Sequence, residues 1–162
     1  MAKITRSTAL SCRHRDLGAE LQEYIRMGVP MKYRTDPRDE HDAVRDAAGL
    51  YDMTPFLKFY VKGPDAETVL NHAVTFDVSK VKPGQSKYGA FLRENGTICD
   101  DGILFNNGSN EYLVVHGDGC ARNMAEASAE GKDAYVEYAA GLHLLSLQGP
   151  KAVELLDQHT PI

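Results

Sequence analysis

The sequence predicts an α+β domain with antiparallel sheets and packed helices. Three observations carry this. Short runs alternate apolar and polar residues, as in Leu57, Phe59 and Val61 set between Lys58, Tyr60 and Lys62, the pattern of a strand with one buried face. Turn residues separate neighbouring runs, with Asn95-Gly96 and residues 106–110 the clearest cases. Segments of helical spacing stand between these runs rather than in strict alternation with them.

Taken in order, residues 1–35 are weakly periodic. Leu17, Leu21, Tyr24 and Ile25 stand at helical spacing, which predicts a helix over 17–27 ended by Val29-Pro30-Met31. Asp36-Pro37 starts a second helix, with an N-cap acid and proline in the first turn, running to Gly49. Strands are expected at 50–53 and 56–62. Gly63-Pro64-Asp65 opens a helix to Ala73 with Val69, Leu70 and Ala73 inward. Residues 78–84 form a linker with a turn. A hairpin follows over 88–105, turning at Asn95-Gly96, where a type I′ turn needs positive φ at both residues. Strand 111–116, a helix over 121–130 stopped by Gly131, a strand at 134–138, a buried strand at 142–147 and a helix over 151–158 complete the chain.

The hairpin holds Asp100-Asp101 within an otherwise apolar strand. Strand alternation sends the two carboxylates to opposite faces. Asp100 shares a face with Ile98, Gly102 and Leu104, and Asp101 with Cys99, Ile103 and Phe105. A carboxylate inside a covered sheet needs a partner or a purpose.

With 162 residues, 43% of them hydrophobic, and a net charge of −5, the composition is that of a globular protein and argues against nucleic acid or an anionic membrane as partner. No apolar run approaches the roughly 20 residues that span a bilayer. Cys12, Cys99 and Cys120 are widely spaced and odd in number, which points to reduced thiols in the cytoplasm rather than a disulfide framework or a metal site. Cys99 reads as a small hydrophobe, the Arg13-His14-Arg15 cluster as solvated, His41 as a contact between helix and sheet, and Gly117-Asp118-Gly119 as too weak for a phosphate loop.

An ordered series of short motifs then carries a resemblance: Glu40-His41 with Ala43-Val44-Arg45; Gly49-Leu50-Tyr51-Asp52; Val61-Lys62-Gly63-Pro64-Asp65-Ala66; Asp77-Val78 with Pro83-Gly84 and Tyr88; Gly96, Ile98 and Asp100-Asp101; and Gln148-Gly149-Pro150. The series resembles the N-terminal half of the glycine cleavage system T-protein, an aminomethyltransferase, and its folate-dependent relatives. The resemblance implies tetrahydrofolate as cofactor and one-carbon transfer from a small methyl or aminomethyl donor, with a lipoyl carrier protein as a partner. It implies a first domain begun by residues 1–50, a second over 51–133 carrying the hairpin, and a return into the first over 134–162, with the C-terminal half of the family's three-domain enzyme missing. It assigns Asp100 to proton movement beside the pterin, and Tyr88 and Val115 to the folate site. His116, Phe56 and Gly102 stand where the T-protein commonly has asparagine, methionine and leucine, and they are expected to line the same site, with Gly102 leaving room for a flat ring. The Asp-Asp-Gly variant looks closer to the sarcosine-oxidising and demethylase branches. A folate-dependent O-demethylase, a sarcosine- or dimethylglycine-type relative and a non-catalytic folate-binding or interaction protein are the alternatives.

Overall fold

The computed structural model describes Ile4 and residues 6–160. In chain order its elements are β1 (Arg6–Ser7), α1 (Ser11–Asp16), β2 (Glu20–Tyr24), β3 (Met27–Lys32), α2 (Pro37–Asp46), β4 (Gly49–Asp52), β5 (Leu57–Lys62), α3 (Ala66–Ala73), β6 (Ser86–Leu92), β7 (Ile98–Gly108), β8 (Glu111–His116), α4 (Ala121–Ala129), β9 (Tyr135–Tyr138), β10 (Leu145–Gln148) and α5 (Ala152–His159). This is the α+β arrangement read from the sequence. The chain divides into two compact units, 1–55 with 143–162, and 56–142.

The second unit is a five-stranded antiparallel sheet in the order β6-β7-β8-β5-β9, with α3 and α4 against one face. Its core is Phe59, Val61, Val69, Leu70, Phe91, Leu104 and Val114, all essentially inaccessible. Val69, Leu70 and Ala73 recur at helical spacing, so α3 turns one apolar stripe to the sheet. Residues 135–138 form β9, which pairs with β5. The division therefore falls at 142/143, not at the 133/134 boundary expected from the sequence.

The first unit holds a three-stranded sheet, β1-β3-β2, and a two-stranded one, β10-β4. Residues 17–27 are not a helix. They enter the β2–β3 hairpin, with Ile25 and Arg26 both at positive φ between the strands. Pro30, read as a helix breaker, lies within β3 opposite Leu21. The Arg13-His14-Arg15 cluster is not simply solvated. It lies on α1, and His14 is buried. Strand β10 is also less buried than its composition predicts, with Leu145 47% exposed.

Two turns differ from expectation. Gly96 N–H donates to the Arg93 carbonyl at 2.8 Å, and of Asn95 and Gly96 only the glycine has positive φ. Asn95 instead accepts from Thr97 N–H at 3.1 Å through its side chain. A two-residue turn with both φ positive, as at Ile25-Arg26, instead stands at Ser109-Asn110, between β7 and β8.

Candidate functional site

The register of the β6–β7 hairpin sorts the acidic pair. Tyr88 stands opposite Ile103 and Ala90 opposite Asp101, while Gly89 faces Gly102 and Phe91 faces Asp100. On the other side of β7, Ile103 is opposite Val115 and Gly102 opposite His116. Directly opposed residues share a face. One face therefore carries Tyr88, Asp101, Ile103 and Val115. The helix-covered face carries Asp100, Gly102, Leu104 and His116.

Asp100 is closed in. Its side chain is 3% exposed, and His116 Nδ1 lies 2.8 Å from Oδ2. The same oxygen accepts from Ala121 N–H, the first residue of α4, at 3.1 Å, and Oδ1 accepts from Asp101 N–H at 2.9 Å. His116 packs edge-on against Phe59 with ring centroids 5.3 Å apart, and its buried Nε2 has no partner among the described residues. This cluster joins strand to helix. The expectation that Asp100 faces a ligand is corrected by its burial, and His116 is its internal partner.

Gly102 is corrected for a related reason. A Cβ there would stand 2.5 Å from the Val115 carbonyl and 3.1 Å from the His116 Cβ. The missing side chain gives room to the neighbouring strand, not to a ring. Phe56 lies one residue before β5, half-buried, and its carbonyl accepts from Lys58 Nζ at 2.8 Å. It is not brought into either cluster.

On the opposite face, Tyr88 is 65% exposed and its hydroxyl donates to Asp101 Oδ2 at 2.6 Å. That bond, and the negative charge behind it, raise the Tyr88 phenol above its ordinary value. Ile103 is partly open beside them, and Val115 is nearly buried. A phenol ring, an accessible carboxylate and the exposed Ile103 side chain make a surface suited to a flat, polar-edged heterocycle: the ring and alkyl group offer area, and the carboxylate accepts N–H groups. The split of the two acids was in the sequence, but the place of Tyr88 comes from the register. Tyr88 falls on the Asp101 face once Tyr88 is set opposite Ile103.

Cys99 and Cys120, expected as separate thiols, are joined as a disulfide on either side of this acidic cluster, with Cα atoms 5.9 Å apart; Cys12 is free and exposed. The sulfur of Met124 lies 3.6 Å from Cys99 Sγ and 3.4 Å from Cys120 Sγ.

No helix among the described residues is long and apolar enough to cross a membrane.

Comparison with known proteins agrees with this architecture. The chain is 42% identical over 161 residues to the heme-dependent oxidative N-demethylase gamma subunit of Ectopseudomonas mendocina (strain ymp), covering 99% of this chain and 43% of that protein. It is 36% identical to the aminomethyltransferase of Herpetosiphon aurantiacus, over 93% of this chain and 43% of the relative. Among solved structures, the glycine cleavage system aminomethyltransferase T from Bartonella henselae superposes with a TM-score of 0.86 at 30% identity, covering 94% of this chain and 43% of that one. The chain thus spans less than half the length of these proteins. Residues 10–162 match the GCVT N-terminal domain, and the chain belongs to that family.

Proposed function

We propose that this chain forms part of a tetrahydrofolate-dependent one-carbon transferase, and that the open sheet face bearing Tyr88 and Asp101 meets the pterin. The observation that carries the reading is the pairing of an exposed tyrosine with an exposed carboxylate beside Ile103 and Val115. When bound, tetrahydrofolate supplies the nitrogen that accepts the one-carbon unit.

This chain's own residues then have separable tasks. Tyr88 offers its ring as a platform and fixes one carboxylate oxygen of Asp101 by donating to it. Asp101 holds or accepts a proton at that carboxylate. Ile103 and Val115 keep water from the apolar side. Proton handling passes from Asp100, the acid first favoured, to Asp101, because a carboxylate with its lone pairs engaged inside the sheet does not reach a ligand.

Isothermal titration with 5-formyltetrahydrofolate, a stable analogue, tests the reading. Saturable binding that Tyr88→Ala weakens supports it. Absence of binding by this chain, alone or together with the remaining portion of a full-length relative, rejects it.

A second reading concerns the donor. Identity to the N-demethylase gamma subunit, 42%, exceeds the 36% to the Herpetosiphon aminomethyltransferase. This favours a one-carbon unit released from an N-methylamine over an aminomethyl group on a lipoyl carrier. Product analysis with each donor in the assembled enzyme separates the two.

A further inference from the structure

The first unit carries an open cavity of about 630 Å³ that the folate reading does not use. Leu17, Val44 and Leu50, with Tyr33, Tyr51 and Glu40, are among the residues that line it. No lysine or arginine lines it among the described residues. The volume lies within the range of small-ligand pockets.

One aromatic wall is held from behind. Tyr33 Oη lies 2.7 Å from His14 Nδ1, and His14 Nε2 lies 3.0 Å from Asp52 Oδ2. With His14 Nε2–H donating to Asp52, Nδ1 accepts from the Tyr33 hydroxyl. Both inner partners are buried, His14 at 8% and Asp52 at 1% side-chain exposure. The Tyr33 ring is therefore anchored through its hydroxyl. Thr35 donates its hydroxyl to Glu40 Oε1 and steadies the carboxylate.

Among the described residues Glu40 is the acidic side chain on the wall. Burial raises the Tyr33 phenol, and Glu40 and then Asp52 raise it further. Asp36, Asp39 and Glu40 offset the positive end of α2. His41, also on the wall, engages Asp42 through Nδ1 at 3.0 Å.

We infer that this cavity binds a small alkylammonium ion, its charge set against Glu40 and the faces of Tyr33 and Tyr51 and its alkyl groups against Leu17, Val44 and Leu50. An aromatic face attracts a cation electrostatically, and poorly hydrated methylated ammonium ions gain most from it. An anion would be repelled by Glu40. A neutral ligand would lack the charge attraction to it.

The test uses choline and its uncharged isostere 3,3-dimethylbutan-1-ol, titrated into this chain and followed by ligand-observed NMR and calorimetry. Choline is expected to bind saturably in the millimolar range or tighter, and the isostere about tenfold more weakly. Glu40→Gln and Tyr51→Leu, at partly exposed positions, are each expected to weaken choline severalfold, with circular dichroism confirming the fold. The inference is overturned by equal binding of the two compounds, by no saturable choline binding, or by choline binding that survives both substitutions in folded protein. Folate-analogue binding, measured in parallel, is expected to be unchanged by Glu40→Gln, so failure here is distinct from failure of the folate reading.

Discussion

The Tyr88 hydroxyl donates to Asp101 Oδ2 at 2.6 Å across the open face of the five-stranded sheet, while the adjacent Asp100 turns inward to His116. Neighbouring acids on one strand thus hold different positions, one facing solvent and one facing the core. The first prediction follows from this. In the assembled enzyme, Asp101→Asn is expected to lower the transfer rate by about 100-fold or more, the range for loss of a proton-transferring side chain, with little change in folate affinity. Steady-state rates set beside calorimetric affinity check it. An unchanged rate removes Asp101 from the chemistry.

Asp100 is expected to act on stability. Asp100→Ala strands His116 Nδ1 and two backbone N–H groups in a buried place, and leaving buried hydrogen-bonding groups without a partner costs about 1–3 kcal/mol. Urea denaturation of this chain measures it. A loss much below about 1 kcal/mol would contradict the buried network.

Part of this was legible before the structure. Asp36-Pro37 marked the start of α2, and Asp36 does accept from Arg38 N–H. The alternation of Leu57, Phe59 and Val61 against their neighbours gave the buried side of β5, although Lys58, on the other side, is buried as well. The failures have common causes. The helical spacing of Leu17, Leu21, Tyr24 and Ile25 arose by chance across a turn, since Ile25 lies in the left-handed region between two strands. Asn95-Gly96 looked like a two-residue turn, yet Asn95 uses its side chain on Thr97 and leaves positive φ to the glycine. The split of the acids was read correctly, but which of them joins Tyr88 depends on cross-strand register, and that is set jointly by both flanking strands. Pairing of Cys99 with Cys120, 21 residues apart, depends on α4 beginning beside β7, which no local pattern reports.

The disulfide gives a thiol count. Unreduced, denatured protein is expected to show one reactive thiol, Cys12, and reduced protein three. Closing a 21-residue loop stabilises by about 3 kcal/mol in the chain-entropy account, so Cys99→Ser or added reductant is expected to lower the denaturation midpoint. Three reactive thiols without reductant, or a midpoint indifferent to it, would contradict the pairing.

Asp52 sets an acid limit for the first unit. Burial alone raises its carboxyl, but hydrogen bonds from the Thr54, Thr8 and His14 side chains and from Thr54 N–H outweigh this and hold it below the ordinary value. A depressed folded value contributes stability that is fully present above the unfolded carboxyl range, near pH 4, and is lost as pH falls through the folded value. Asp52→Asn is therefore expected to flatten the decline in stability at acid pH. Denaturation midpoints measured across that range for both proteins test it, and parallel curves would contradict the assignment.

Ala121 N–H at the start of α4 donates to Asp100 on a strand, and the helix's own N-cap, Cys120, makes no side-chain capping hydrogen bond. Helix beginnings are ordinarily satisfied by a neighbour in sequence. Here the nucleating contact is non-local, and a helix of nine residues is too short to persist alone. The carboxylate that receives the first turn of α4 is in place only when β7 is, so the start of α4 is expected to open and close together with β7.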